Sequence, residues 1–526
     1  MVEPVKQIVY YLDAATPVKW RPYLKKGIED WQKAFEAAGF KNAIIAKDAP
    51  TIEEDPEFSP EDVRYSVLRY TANPIQNAMG PHVHDPRSGE ILESDIIWYH
   101  NVMNLLRNWY LIQTAAINPI ARKVQLDDEV MGELIRFVAA HEVGHTLGFP
   151  HNMGASSSYP VDSLRSATFT KKMGTSPSIM DYARFNYVAQ PEDKDVTLMP
   201  GIGVYDKYAV MWGYKPILDA KTPEDELATL NKWIREHEND PMYRYGKQMA
   251  VPLDPSSQTE DLGDNSVKAS RYGIANLKRI VPNLIEWTKK DGKNYDDLEE
   301  LYFQVIGQWR RYMGHVTANV GGIHEVYKTF DQKGNIYTHT PKSRQKEALQ
   351  FLNEQAFTTP NWMIDENILG KIEPAGIVNR IRQDQANILN NLMDFSRLAR
   401  LIENETLNGK EAYSCLEMLD DLRAGIWKEA QSGQKVDTYR RNLQRAYVEK
   451  LEELMTKEQT SVPGNARNFV AYTAINVSQS DIRPLARGEL KKIQTLVRNG
   501  LRNPDEMTRY HYDELLARID KILDPK

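Results

Sequence analysis

Hydrophobic residues recur along this chain with two different spacings, and the change from one to the other divides it. Gln7–Leu12 (QIVYYL) is a short β-branched and aromatic run, expected as a strand. Thr16-Pro17 reads as a helix N-cap followed by Pro in the first turn. Trp20, Leu24, Ile28, Trp31 and Phe35 then hold one helical stripe, and Gly39 ends it. Asn42–Ala46 (NAIIA) and Arg64–Tyr70 (RYSVLRY) predict further strands, an α/β opening with one crossover. Residues 77–100 predict two more strands around an Asp85-Pro86-Arg87-Ser88-Gly89 turn. Pro81 has no N–H for a strand ladder, so Ala78, Met79, Gly80 and Pro81 are expected at the sheet edge.

A helix is expected from about Val102 to Ala116, and another from about Asp128. Asn152–Ser176 is rich in Ser, Thr and Gly without clear periodicity, as expected for a loop that walls a site. Tyr205–Tyr214 (YDKYAVMWGY) reads as a helix closing this half. From about residue 217 the stripes lengthen. Ile377, Ile381, Ile388, Leu392, Phe395 and Ile402 form one, and Tyr439, Leu443, Tyr447, Leu451 and Leu454 another. Ile519, Ile522 and Leu523 end a last helix. The expected organisation is an α/β (α+β) domain over 1–216 and a mostly helical domain over 217–526, whose stripes read as packing core.

Composition narrows the classes. A chain of 526 residues exceeds one ordinary core, and 41% hydrophobic with 26% charged residues describes a globular protein. Lys+Arg 66 against Asp+Glu 73 leaves a net charge of −7, which argues against a nucleic-acid partner. No apolar run approaches the ~20 residues of a transmembrane helix. The opening MVEPVKQIVYYLD lacks the charged, apolar, small-residue order of a signal peptide, so a trimmed or mature chain is expected. Cys415 is the single cysteine, which excludes an internal disulfide and a cysteine-ligated zinc site.

The chemistry concentrates in Glu133–Asn152, ELIRFVAAHEVGHTLGFPHN. His141 and His145 are four apart and share one helix face. Glu142 is turned aside, able to reach a metal-bound water without ligating the metal. Gly148 allows φ > 0, so the chain can leave the helix and swing His151 back. Three neutral imidazoles with an open fourth position describe a catalytic zinc site. His82, His84 and His100 are a weaker candidate second metal site, and Asp85–Glu90 a weaker calcium site. A solvated turn and a polar hairpin are the preferred readings there.

HExxHxxGxxH followed by Ser178-Ile179-Met180-Asp181-Tyr182 resembles the metzincin zinc peptidases, whose signature is that helix motif and a later Met-turn. The chain is most similar to a bacterial group of metzincin-like proteins. The similarity rests on YYLDAATPVKWRPYLKKGIEDWQKAFEAAGFKNAI, SIMDYARFNYVAQP and GDNSVKASRYGIANLKRI. The resemblance implies a metzincin-like mixed sheet with an active-site helix and one catalytic Zn2+ on His141, His145 and His151. It places Met180 beneath them as a floor and Tyr182 where it can touch the zinc and stabilise an oxyanion. Asn152, after the third histidine, departs from the named subfamilies.

The implied activity is that of a zinc metalloendopeptidase. A zinc-bound water would attack a peptide carbonyl, with Glu142 as general base and then acid to the leaving amine. The edge strand would hold an extended polypeptide substrate. Longer members of the group carry an export signal, which implies an extracytoplasmic location. A scaffold that grips a partner without cutting, and a zinc amidohydrolase for small amides, are the competing readings.

Overall fold

The computed structural model describes residues 1–249, 252–458 and 476–525. Ile8–Leu12 (β1) has Tyr10 and Leu12 buried on one face, and pairs in parallel with Ile44–Asp48 (β2) and Ser66–Thr71 (β3). Helices Arg21–Glu29 (α1) and Gln32–Ala38 (α2) make the β1-to-β2 crossover. Ala78–Met79 (β4), Val83–His84 (β5), Ile91–Glu93 (β6) and Ile96–Tyr99 (β7) follow. The main sheet is five-stranded in the order β2-β1-β3-β7-β4, and β4, antiparallel to β7, is its edge. β5 and β6 pair as a separate hairpin around the Asp85–Gly89 turn. The mixed sheet agrees with the fold class expected from the sequence.

Local boundaries differ from the pattern for physical reasons. The helix expected from Pro17 starts only at Arg21, because residues 17–20 form a turn closed by Trp20 N–H to Pro17 O. It then divides into α1 and α2 at Asp30-Trp31, where the fully buried Trp31 indole donates to Ala140 O at 2.7 Å. β2 begins two residues late because Asn42 sits at φ 54, a left-handed conformation outside a strand. The two strands expected over 77–100 are four short ones. The chain breaks at Gly80-Pro81 and at Ser94-Asp95, where Asp95 accepts the Val67 N–H at 3.0 Å.

Val102–Thr114 (α3) leads to Asp128–Thr146 (α4), the histidine helix, with Asp128 and Glu129 in its first turn to oppose the macrodipole. The α4 C-terminus is pinned to the sheet and its surroundings. Tyr10 and Thr146 hydroxyls are hydrogen-bonded at 2.7 Å, and Ser94 Oγ donates to Thr146 O at 3.2 Å. Midway along α4, Arg136 pairs in a fork with Asp30 at 2.7 Å. From Val204–Tyr214 (α6), the Tyr214 hydroxyl donates to Leu147 O at 2.9 Å. Between them, the loop expected over 152–176 holds two single 3-10 turns and a short helix, Ala167–Met173 (α5). Seven residues are too few to show a hydrophobic stripe, so α5 is legible only through its cap, where Ser166 Oγ accepts Phe169 N–H.

The chain forms two compact units, residues 1–248 with 256–305, and residues 249–255 with 306–526. The position expected as a boundary, 216/217, lies inside the first of them. The irregular stretch after His151 is buried, and its backbone polar groups need partners. Later residues supply them. Gly263 N–H donates to Ser156 O, Leu262 N–H to the Tyr187 hydroxyl, and Asn276 Nδ2 to Tyr187 O and Ala189 O. Arg107 of α3 is ion-paired with Asp297 and Glu300 at 3.2 and 2.7 Å.

The second unit is mostly helical among the described residues, with one hairpin, Ile323–Glu325 and Tyr337–His339. The stripe from Ile377 to Ile402 is divided between Ile377–Leu392 and Phe395–Asn408, because Asp394 caps a new helix by accepting Ser396 N–H. The Tyr439–Leu454 stripe lies on Thr438–Thr456, with Leu443, Tyr447, Leu451 and Leu454 buried. Among the described residues, no helix is long and apolar enough to cross a membrane.

Candidate metal centre

α4 ends at Thr146, and Gly148 at φ 90 makes the left-handed turn that the spacing requires. Phe149 N–H returns to Gly144 O at 3.0 Å, and His151 comes back beneath the helix. The three imidazoles then converge through their Nε2 atoms. His151 Nε2 lies 3.2 Å from His141 Nε2 and 3.0 Å from His145 Nε2. Tetrahedral zinc with Zn–N of 2.0–2.1 Å needs donor separations of roughly 3.3 Å, so the spacing suits that ion.

The other ring nitrogens explain why Nε2 is free. His141 Nδ1 faces Ile179 O at 2.7 Å, and His145 Nδ1 faces Phe149 O at 2.9 Å. Carbonyl oxygens only accept, so each Nδ1 carries the proton and each Nε2 presents a lone pair. Burial, with the neighbouring imidazoles, holds His141 well below the ordinary histidine range and His151 down at about 4. Burial also lowers His145. Neutral imidazoles are what a metal requires.

Glu142 is 7% exposed, and burial pushes its carboxyl up to about 7, opposed by the Arg184 charge and the Gly80 backbone N–H. The edge strand therefore reaches this side chain. Gly80 approaches α4 so closely that a Cβ there would sit 2.2 Å from Glu142 O. Of the expected edge segment, Ala78 and Met79 form β4, while Gly80 and Pro81 run on beside the histidine helix.

Met180 is buried against the same helix, and a Cβ on Gly144 would fall 2.1 Å from its Sδ. Its turn is held from α6, where buried Asp206 accepts Ser178 Oγ at 2.6 Å and Ile179 N–H at 2.8 Å. The Tyr182 ring lies against His151 and His141, with centroids 4.2 and 5.0 Å away. Burial raises its phenol, and the Arg184 charge opposes that. The Arg184 guanidinium is stacked between Tyr182 at 4.2 Å and Trp109 at 3.7 Å, and pairs with buried Glu260 at 3.3 Å.

Among the described residues, His141, His145 and His151 are the one group of three side chains close enough to share a metal. The weaker candidate sites are not assembled. His100 Nδ1 pairs with the Tyr70 hydroxyl, His82 Nδ1 faces His145 O at 3.1 Å, and the Asp85 carboxylate is taken up by Arg87 at 2.7 Å.

A family model described as Met-zincin matches residues 123–434, more than half of the chain. The chain belongs to the Met-zincin family. No curated protein and no solved structure matches it. The Met-zincin match spans the histidine triad and Met180, and continues into the helical unit.

Sequence reasoning missed four residues around this Met-zincin site. Asp206 had one available signal, its place three residues past the Gly203 cap of α6. Asn152 was visible only as a departure. Buried, it donates N–H to Met180 O at 3.0 Å and so ties the third histidine to the Met-turn. Arg184 and Gln248, whose Oε1 lies 2.8 Å from His151 Nδ1, stand at no diagnostic spacing.

Proposed function

We propose that this chain is a zinc-dependent endopeptidase acting on polypeptides. The observation that carries the reading is the convergence of three Nε2 lone pairs beside a buried carboxylate that the edge strand reaches. Zinc held by His141, His145 and His151 would supply a Lewis acid that acidifies water and polarises a carbonyl. Glu142 takes the proton from the attacking water on a carboxylate oxygen and delivers it to the leaving amine nitrogen. Its burial suits the second half of that cycle, because a carboxyl raised to about 7 holds a proton near neutrality. Tyr182, kept protonated by burial, donates from its hydroxyl to the developing oxyanion. Ala78 and Met79 of β4 hold the substrate backbone extended by strand addition, while Gly80 N–H orients Glu142. We assign the catalysis to the region expected as 1–216, and read the protein as acting outside the cytoplasm.

The test uses the full chain. Purified protein should contain about one zinc and cleave a mixed peptide library in a chelator-sensitive way. Cleavage indifferent to chelator would overturn the reading. For Tyr182→Phe, kcat should fall about 10²-fold with zinc retained. An unchanged kcat would remove Tyr182 from the oxyanion role.

A further inference from the structure

Residues 244–248 run alongside residues 152–154 without regular secondary structure. Met153 N–H donates to Gly246 O at 2.8 Å, Gly246 N–H to Asn152 Oδ1 at 2.8 Å, and Asn152 Nδ2 to Arg244 O at 2.9 Å. This pairing delivers Gln248 Oε1 to 2.8 Å from His151 Nδ1, across 97 residues of chain. The three histidines are therefore not held alike. His141 and His145 give their Nδ1 protons to the backbone carbonyls of Ile179 and Phe149. His151 gives its own to an exposed side chain.

The difference matters because an amide oxygen only accepts. Facing Oε1, the His151 ring must keep its proton on Nδ1, and its Nε2 lone pair points at the other two Nε2 atoms. Without that acceptor, either tautomer of His151 can be satisfied by water, and no partner fixes which ring nitrogen faces the other two imidazoles. We propose that Gln248 is a positioning residue that fixes the tautomer and orientation of the third histidine, and so sets the metal affinity of the site. The inference rests on the zinc reading above. Outer-shell partners of metal-bound histidines are worth about 10–100-fold in metal affinity.

The experiment is a competition titration of the metal-free full chain against a chromophoric zinc chelator, in wild type, Gln248→Ala and Gln248→Glu. Gln248→Ala should bind zinc about 10–100-fold more weakly. Gln248→Glu keeps an acceptor at the same reach and makes the imidazole a better donor, so it should bind at least as tightly as wild type. The metal-free unfolding temperature should be the same in all three, because Gln248 is exposed. Wild-type affinity in Gln248→Ala would overturn the proposal, as would equal weakening in both variants. A wild type that binds no zinc would overturn the zinc reading and this proposal together, whereas a zinc-binding wild type beside an unaffected Gln248→Ala overturns this proposal alone.

Discussion

Glu142→Gln is expected to lower kcat by about 10²–10⁴-fold while leaving zinc content at the wild-type level. The exchange keeps shape and a hydrogen-bond acceptor, so Gly80 N–H still has an oxygen to face. It removes the carboxylate that, in the proposed mechanism, would take the proton. Glu142 is no member of the imidazole cluster, so metal retention follows from the geometry. The measurement is kcat on a cleaved peptide beside zinc per chain by elemental analysis. Full turnover in the variant would sink the general-base assignment. Loss of zinc together with activity would mean that the carboxylate serves the metal and not the reaction.

His145→Ala should lose both. Two imidazoles remain where three converge, and zinc affinity should drop by a factor on the order of 10² or more, with cleavage at background. The substitution also deprives Phe149 O of its ring N–H partner. Thermal unfolding of the metal-free proteins separates that structural cost from the metal effect. Equilibrium dialysis against zinc reads the outcome directly. Wild-type zinc binding in His145→Ala would exclude it as a ligand.

Much of this centre was legible in one dimension because its parts are close in sequence. His141 and His145 share a helix face by periodicity alone, and Gly148 is the residue type that a left-handed turn demands. The Met-turn was legible by resemblance to a family pattern. β1 and the crossover followed from hydrophobic runs, since a strand that must bury Tyr10 and Leu12 writes that need into its pattern.

The residues that hold the centre in place were not legible, because their partners are set by folding. Trp31 read as one member of a helical stripe, yet it stands at the break between α1 and α2, with its indole donating to Ala140 O. Tyr10 read as a strand aromatic, yet it anchors the end of α4 through Thr146. Asp95 read as an ordinary strand residue, yet it interrupts the strand to cap Val67.

By itself the sequence determined which three imidazoles come within reach of one metal ion and that a helical region follows the mixed sheet. Both are written in local spacing, which backbone geometry translates directly. Only the tertiary structure decided how far the first unit extends, that Asp206 carries the Met-turn, and that the acceptor behind His151 is Gln248. Buried backbone groups and imidazole protons must find partners wherever folding brings them, and no spacing rule records a partner 97 residues away.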